Sequence, residues 1–544
     1  MAPNVHFLHM VLDAFSQHSS LPLVKKLILS GASRTWTTVT YQAFSDEMHK
    51  ASIYYAQRLS QIGVTTSSVV GLWITGDQYT DLVHLYALSR AGFVPQIFSQ
   101  KFTAQGLAVI SDLLSVCDGK ALIYDASFEK AVQELGLPSF VTPTLETLVA
   151  PHPEMLPQLP DVNPTDTAMI FHTSGTTSGK PKPVPQSHQW FRFQAEQWRG
   201  IWQGSYESQD LFNNIGLFGH VGSATQISHL SRSGQCMVQL SRLSFDDRDT
   251  LLDLVRYTGL NNLFLYAPWL SKLLALARTD GEVLSALHGM RQITYTGASL
   301  NPEDEAWIIE QKIPATVMYA TTEVALCLVS DLKNLETLPA MRVIPCVQCE
   351  FIPTKSLKTS DLDGDDRKRS SGGQLYDFFI PASAPNCPHP SIRNRPDGHI
   401  SGDLFEEVQK GYYAFRGRND DWIRTGPGLA FCDTKSIEDN CMLACADLVK
   451  NCTAVGHYKP AVVLFIEPAL ALPSESDLAT FKAEVLKQTA PFNDRLFLHE
   501  RITDPNFIVV VPPGSLPRTT EKGNIRRKAV EDEYTAVLEN IYHP

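Results

Sequence analysis

Residues 167–188 read TAMIFHTSGTTSGKPKPVPQSH, and this stretch decides the fold class. Its apolar start, Ala168–Phe171, predicts a short buried strand. The segment from Thr173 to Lys182 is rich in hydroxyls and also holds two glycines and two lysines. Glycines let backbone N–H groups approach phosphate oxygens, hydroxyls donate further hydrogen bonds, and lysines supply charge. Directly after a buried strand, this composition predicts a loop that wraps a polyphosphate.

Two other interpretations of this loop fit the sequence less well. It does not follow the phosphate loop of P-loop NTPases, because Lys180 precedes a proline and no helix is predicted to begin there. An ordinary polar surface loop is common, but it rarely has this order of residues after a buried strand.

The sequence around the loop alternates helical and strand-like stretches. Helical spacing is found over residues 41–62 and 79–91, and VVGLWIT at 69–75 is typical of a buried strand. This alternation predicts a mainly parallel sheet covered by helices. A proline-rich connector at 151–164 and an exposed polar loop at 355–373 are also predicted. After Arg418, the polar run Asn419-Asp420-Asp421 precedes Trp422-Ile423 and a new succession of strands and helices. This change predicts a large domain over 1–418 and a small one over 419–544.

Composition excludes several classes of protein. The 544 residues carry 46 Lys+Arg and 58 Asp+Glu, a net charge of −12, which argues against binding to a nucleic-acid backbone. No stretch reaches the roughly 18 apolar residues of a membrane span, and the first residues lack a signal-peptide pattern. We therefore expect a cytoplasmic protein with neither a membrane nor a nucleic-acid partner.

Ten cysteines in so long a chain do not suggest a disulfide framework. Two close pairs, Cys346/Cys349 and Cys441/Cys445, could in principle form a four-thiolate zinc site. The second pair has the spacing of one helical turn, so buried core cysteines are the favoured interpretation. A zinc-dependent binding module remains a rival hypothesis.

The loop resembles the phosphate motif [ST]SGTTGxPK of the adenylate-forming superfamily, which contains acyl-CoA synthetases and the adenylation domains of nonribosomal peptide synthetases. This chain has one extra residue before the second glycine. Six further segments resemble the family's later motifs in the same order. These segments are Phe218–Gly222, Tyr295–Leu300, Tyr319–Glu323, Ser401–Asp403, Gly417–Ile423 and Leu516–Asn524.

The sequence is most similar to fungal adenylate-forming reductase-like, or NRPS-like, adenylation domains. The shared features are Lys522-Gly523-Asn524 near the end and CDTKSIED at 432–439. Ala320 and Asn524 depart from the general family pattern, which has glycine and lysine there. The resemblance implies an α/β fold with a large N-terminal domain of two αβ-layered sheets and a small β-barrel-like part. A small, mobile α+β C-terminal domain would follow.

The resemblance also assigns roles. It implies ATP and Mg²⁺ as cofactors, with Glu323 binding the metal, Asp403 binding ribose, and Arg418 adding a second contact to ribose or phosphate. Asp420 would act as the hinge between the domains. Lys522 is the implied catalytic lysine, with Lys528 or an inactive site as alternatives. Thr322 would contact the α-phosphate and His220 would line or gate the acyl pocket. The other implied nucleotide-binding residues are Thr173, Ser174, Gly175, Thr176, Thr177, Gly179, Lys182, Gly297, Ala298 and Tyr319.

The substrate follows from the pocket segment. Related amino-acid-activating domains place an Asp after the Phe that corresponds to Phe218, and here Gly219 and His220 follow it. Because a buried ammonium without a counter-charge is costly, we expect an aromatic or fatty acid without an α-amino group. No carrier-protein or reductase sequence follows Lys522. We therefore expect a free-standing ligase that uses coenzyme A. The alternatives are a unit serving a carrier protein or reductase in trans, a fragment, and a non-catalytic nucleotide-binding relative.

Overall fold

The computed structural model describes most of the chain. The described residues are 5–30, 33–104, 106–132, 136–148, 155–173, 181–202, 209–240, 247–297, 299–354, 374–419, 422–426, 430–472, 474–494, 496, 500–518 and 525–543.

Five sheets contain all the strands in this part of the chain. The strands are β1 Pro22–Ser30, β2 Ser33–Thr40, β3 Val69–Trp73, β4 Val94–Phe98, β5 Ala121–Tyr124, β6 Ser139–Val141, β7 Thr167–Thr173, β8 Lys182–Ser187, β9 Leu211–Asn213, β10 Cys236–Gln239, β11 Asn262–Tyr266, β12 Gln292–Thr296, β13 Ala315–Thr321, β14 Ala325–Val329, β15 Arg342–Val343, β16 Glu350–Pro353, β17 Leu375–Pro381, β18 Gly398–Gln409, β19 Tyr412–Arg418, β20 Trp422–Thr425, β21 Ala430–Asp433, β22 Val449–Val455, β23 Val463–Pro468 and β24 Ile508–Val510.

The α-helices cover the faces of these sheets. They are α1 Phe7–Gln17, α2 Tyr41–Gln61, α3 Tyr79–Arg90, α4 Leu107–Val116, α5 Glu129–Val132, α6 His188–Ile201, α7 Val221–Ala224, α8 Gln226–Ser231, α9 Arg248–Asp253, α10 Ala267–Ala277, α11 Gly281–His288, α12 Pro302–Gln311, α13 Thr434–Ala444, α14 Glu475–Asn493, α15 Arg527–Glu533 and α16 Thr535–Tyr542.

Two large sheets are built mainly from parallel strands. One has the order β6-β5-β3-β4-β7-β8, in which only β7 and β8 pair antiparallel. The other has the order β15-β14-β13-β12-β11-β9-β10-β1-β2, with parallel pairing from β13 to β1. Four antiparallel strands, β16 to β19, form a further small sheet. This architecture confirms the predicted fold class.

One hydrophobic core joins the two large sheets. Phe44 of α2, Leu72 of β3, Phe171 of β7 and Phe212 of β9 are buried in the same cluster. At about 25 cal/mol per Å² of apolar surface, such aromatic side chains account for much of the burial energy. The two sheets are therefore held as one packed unit.

The last part of the chain has a core of its own. Its three-stranded sheet, β22-β23-β24, packs with α13 and α14 around residues such as Ile437, Leu464 and Phe481. The predicted division at 418/419 falls between β19 and β20, which belong to different sheets. The division itself stays a prediction.

Individual elements agree with the sequence patterns to within a few residues. Helix α2 begins after Thr40, whose hydroxyl accepts the N–H of Ala43 at 3.1 Å and so caps the helix. The last strand, β24, begins only at Ile508, because Asp504 caps a 3₁₀ turn over Pro505–Phe507. Among the helices of the described residues, none is both long and apolar enough to cross a membrane.

Candidate active site

Three of the predicted motifs, the phosphate loop, Tyr295–Leu300 and Tyr319–Glu323, lie at the carboxyl ends of parallel strands. Strands β11, β12 and β13 end at Tyr266, Thr296 and Thr321, and β7 ends at Thr173. Open α/β sheets bind ligands at this edge. Thr173 pairs with Lys182 across the β7–β8 hairpin, so the two ends of the predicted phosphate loop are adjacent. Ser174, Gly175, Thr176, Thr177 and Gly179 lie outside the described residues.

The carboxyl edges of the two sheets meet at Phe218–Gly222, the segment that contains His220 and is predicted to line the acyl pocket (the acyl segment). The N–H of Phe218 donates to the carbonyl of Gly76, just beyond β3, at 2.7 Å. A Cβ on Gly219 would lie 2.8 Å from the Cβ of Ser99, which follows β4. Glycine at this position therefore lets the two sheets approach closely.

Three predicted nucleotide-binding residues form one cluster. The phenol of Tyr319 donates to Oδ2 of Asp403 at 2.5 Å, and Arg418 contacts Oδ1 at 3.4 Å. Asp403 is only 5% exposed, so these contacts compensate for burying its charge. Burial, followed by the neighbouring carboxylate, holds the pKa of Tyr319 well above its ordinary value. The phenol therefore stays protonated and remains a donor.

The turn between β13 and β14 carries Thr322 and Glu323, and buried amide side chains hold its backbone. Gln186 on β8 donates to the carbonyl of Thr322 at 2.5 Å and approaches that of Glu323 at 3.2 Å. Asn386 donates to the next carbonyl, that of Val324, at 3.3 Å. The turn is thereby attached both to the phosphate-loop hairpin and to the loop after β17.

A histidine that the sequence analysis missed faces the predicted metal ligand. His399 on β18 is 9% exposed, and its Nδ1 atom is buried without a partner in the described part of the chain. Burial lowers the pKa of His399, while the carboxylate of Glu323 acts in the opposite direction. The imidazole is therefore held near a half-buried carboxylate.

Tyr266 is a second residue that sequence reasoning missed. A Cβ on Gly297 would lie 2.9 Å from its ring, and Gly297 has a φ of +87°, so this position requires glycine. The ring of His220 lies 6.4 Å from that of Tyr266. Gly297, in the motif Tyr295–Leu300, and His220, in the acyl segment, therefore both lie next to Tyr266. Burial raises the pKa of that tyrosine to about 12.

His220 also has a structural contact. Its Nδ1 accepts the N–H of Gly222 at 3.2 Å and so caps α7. A capping imidazole is fixed in orientation, which suits a pocket wall better than a mobile gate.

Three predicted residues, Ala298, Asp420 and Lys522, lie outside the described residues. The chain on either side of Lys522 is described. Arg518 and Ile525 form an isolated antiparallel bridge. Arg518 also makes a two-pronged contact with Glu467, which is fully buried, at 3.0 and 2.6 Å. The alternative lysine, Lys528, is paired with Asp532 on its own helix at 3.0 Å.

The two cysteine pairs lie in different cores and do not form a common site. Cys346 and Cys349 pack against the core of the nine-stranded sheet, whereas Cys441 and Cys445 belong to the core around α13. Among the described residues, no group of three or more His, Cys, Asp or Glu side chains is arranged to hold a metal ion.

Solved structures share this fold over nearly the whole chain. ATP-bound MatB from Rhodopseudomonas palustris superimposes with a TM-score of 0.72 at 16% identity, covering 98% of this chain and 99% of that one. O-succinylbenzoate coenzyme A synthetase (MenE) from Bacillus subtilis, in complex with AMP, gives 0.71 at 16% identity, covering 96% and 98%. The chain therefore has the fold of these two synthetases.

The chain belongs to the AMP-binding enzyme family, because residues 22–358 match its family model, more than half of the sequence. Residues 432–544 match the AMP-binding enzyme C-terminal domain. The AMP-binding domain-containing enzyme iboA of Amanita muscaria (strain Koide BX008) is 33% identical over 91% of this chain and 95% of its own length. These findings confirm the resemblance to the adenylate-forming superfamily.

Two longer fungal relatives also match. The adenylate-forming reductase stbB of Stachybotrys bisbyi is 24% identical over 91% of this chain. The non-canonical nonribosomal peptide synthetase ascB of Acremonium egyptiacum is 21% identical over 94%. The chain spans 44% and 45% of these two proteins, so it covers less than half of each.

Proposed function

We propose that this protein uses ATP and Mg²⁺ to convert a carboxylic acid into an acyl-adenylate, and then transfers the acyl group to the thiol of coenzyme A. In the first step a carboxylate oxygen attacks the α-phosphorus and pyrophosphate leaves. In the second, the thiol sulfur attacks the carbonyl carbon, AMP leaves, and the thiol proton is released. The observation that carries the proposal is that Tyr319 contacts Asp403 beside the carboxyl edge where Phe218–Gly222 and Gly297 also lie.

The chain would contribute chiefly position and charge, which are the main needs of phosphoryl chemistry. The loop between Thr173 and Lys182 would hold the β- and γ-phosphates, and Thr322 would donate to the α-phosphate. Asp403, with Arg418 beside it, would accept hydrogen bonds from ribose. Lys522 would approach the α-phosphate as negative charge builds there.

A half-buried glutamate suits the proposed metal. Mg²⁺ prefers oxygen ligands and is usually held by one or two carboxylates together with substrate phosphates. Glu323 offers such a carboxylate on a turn whose backbone is fixed by Gln186. The ion would neutralise charge on the phosphates and promote the departure of pyrophosphate.

The surroundings of the acyl segment support an acid without an α-amino group. The residues that pack near His220 and Tyr266 include Gly216, Gly297 and Trp269, which carry no negative charge. Asp77, next to Gly76 at this segment, accepts the hydroxyl of Thr75 at 3.0 Å. It is the residue to substitute if amino acids prove to be substrates.

A carrier protein is the second candidate acceptor. The relatives stbB and ascB are more than twice as long as this chain, and their names state a reductase and a peptide synthetase. In that case the acyl group would pass to a carrier-bound thiol in trans, or the chain would serve a separate reductase.

The test is a pyrophosphate-release screen over benzoic, cinnamic, fatty and amino acids, each with and without coenzyme A. We expect release with at least one non-amino acid and a thioester product only when coenzyme A is present. Release without a thioester would point to a carrier protein. Nucleotide binding without release from any acid would indicate a non-catalytic relative and contradict the proposal.

A further inference from the structure

A cavity of about 510 Å³ lies at the end of the six-stranded sheet opposite the candidate active site. The first residues of three parallel strands line it, Val69 of β3, Val94 of β4 and Thr167 of β7. Strand β7 therefore runs from this cavity at Thr167 to the predicted phosphate loop at Thr173. The proposed reaction uses none of the residues that line it.

Two buried imidazoles face this cavity. His6 and His188 are each 4% exposed, and their ring centroids are 4.4 Å apart. The N–H of Leu8 donates to Nδ1 of His6 and the N–H of Phe7 donates to Nδ1 of His188, both at 3.3 Å. Because Nδ1 accepts in both rings, the proton of the neutral imidazole is on Nε2. In the described ranges, no hydrogen bond from either Nε2 is found, and both side chains line the cavity.

Other donors beside the cavity also lack partners. Oγ of Ser89, which lines it, and Nε of Arg90, the next residue, are both buried without a partner in the described part of the protein. Nε2 of His9, whose ring centroid lies 6.3 Å from that of His6, is likewise buried without a partner in the described residues. Buried polar atoms are nearly always satisfied, so a cluster of orphaned donors indicates that water or a ligand completes it.

The charges near the cavity favour an anion. Burial, followed by the neighbouring His188, His9 and Arg90, lowers the pKa of His6 to about 3. Burial lowers the pKa of His188 to about 4, although Asp166 acts in the opposite direction. His6 and His188 are therefore neutral donors at pH 7, and the guanidinium of Arg90 supplies a positive charge. Asp166 is the single carboxylate among the described lining residues. It is exposed, and the N–H of Asn163 donates to it at 2.7 Å.

We propose that this cavity is a second ligand site, separate from the nucleotide cleft, which binds the oxyanion of a small organic molecule through the Nε2–H groups of His6 and His188. The oxyanion is a carboxylate or a phosphate. The remaining walls include Phe7, Phe93 and Val162, against which an apolar body of the ligand would pack.

The test uses the full chain and two probes, inorganic phosphate and benzoate, in a chloride buffer without other oxyanions. Binding is followed through the ¹³C–¹H signals of the histidine rings, which report on the cavity even if either probe also enters the nucleotide cleft. We expect the signals of His6 and His188 to shift with a saturable dependence on at least one probe. A response to phosphate alone assigns a phosphate ester, and a response to benzoate assigns a carboxylate.

Variants make the test specific. His6→Asn keeps a side chain able to cap α1 by accepting the N–H of Leu8, but it loses the N–H that faces the cavity. We expect it to weaken binding at least tenfold, as seen in the His188 signal. His288→Asn, on the exposed surface near Gln311, is the matched control and should bind like the wild type. Asp403→Asn, which alters the nucleotide cleft, should also leave this binding unchanged.

Two results would overturn the proposal. In the first, neither probe shifts the signals of His6 and His188, so that water alone fills the cavity. In the second, the probes bind His6→Asn as tightly as the wild type.

Discussion

Asp403 is held from two sides before any ligand is considered. Tyr319 donates to one carboxylate oxygen and Arg418 contacts the other. A carboxylate fixed in this way is preorganised to accept from a sugar hydroxyl, so it loses little conformational entropy on binding.

Replacing this charge should affect nucleotide binding more than folding. Asp403→Asn keeps the shape but removes the charged acceptor, and charge-assisted hydrogen bonds contribute about 1.5–3 kcal/mol. We therefore expect the KM for ATP in pyrophosphate exchange to rise at least about tenfold. Tyr319→Phe is the matched control, because it removes only the phenol contact to this carboxylate and should cost about 1.5–3 kcal/mol of stability. An unchanged KM in Asp403→Asn would show that this carboxylate does not contact ribose.

Among the elements, the turn between β13 and β14 depends on side chains from distant parts of the chain. Gln186 fixes two of its carbonyls, and Gln197 of α6 donates to the carbonyl of Leu326 at 2.5 Å, one step farther along β14. Both amides are almost fully buried. The two glutamines therefore make similar contacts on opposite sides of Glu323.

Gln186→Met should weaken the metal dependence of the reaction. The methionine fills similar space but leaves the carbonyls of Thr322 and Glu323 without their donor, so the turn loses its fixed position. A loss of about 1 kcal/mol in metal binding corresponds to a roughly fivefold rise in the Mg²⁺ concentration for half-maximal activity. Gln197→Met is the control and should lower the unfolding temperature without changing the Mg²⁺ dependence. The same Mg²⁺ curve in both variants would contradict a positioning role for Gln186.

The contact between Glu467 and Arg518 gives a pH-dependent test of the segment before Lys522. Burial alone would raise the pKa of Glu467, but hydrogen bonds from Arg518, the N–H of Leu516 and Asn451 together lower it. A lowered folded-state pKa means that the contact stabilises above the unfolded pKa of about 4.3. That stability is lost as the pH falls further, through the folded pKa.

Glu467→Gln should thus be less stable than the wild type at pH 7, by about 3 kcal/mol, because the guanidinium of Arg518 loses its charged partner. Urea unfolding from about pH 7 to about pH 3.5 should show the two proteins converging as the pH falls, since Glu467 becomes neutral. Glu539→Gln, on the exposed side of α16, is the control and should follow the wild-type curve. A constant difference at every pH would exclude ionised Glu467 as the source of the stability.

These elements also show what a single sequence can and cannot predict. Helix α2 was predictable because its cap, Thr40, directly precedes the apolar spacing of its own 21 residues. The motif residues were predictable because glycines and hydroxyls follow apolar strands directly. Gln186 was not, since its partners lie 136 and 137 residues away and a glutamine in a strand has no local signature. Tyr266 was missed for the same reason, because its role follows from contact with Gly297 and His220.

At the scale of the whole molecule, the separate cores at the two ends of the chain are consistent with relative domain movement. The core around α13 and β23 shares no residue with the clusters of the two large sheets. Across the predicted boundary, Trp422 donates to the carbonyl of Arg416 at 2.7 Å, so the chain is tied closely on both sides of 419–421. A rotation of the small domain about this point would therefore have to occur through the backbone torsions of a few residues, as in a hinge.

Asp420, the predicted hinge residue, provides the test of that movement. Proline at this position would fix φ near −65° and remove a donor, whereas alanine would leave both torsions free. If the small domain must turn between the two half-reactions, Asp420→Pro should reduce thioester formation about tenfold or more while pyrophosphate exchange changes little. Asp420→Ala should support both at rates near the wild type. Equal losses of both half-reactions in the proline variant would show damage to the structure, and undiminished thioester formation would show that the domains need not turn at this residue.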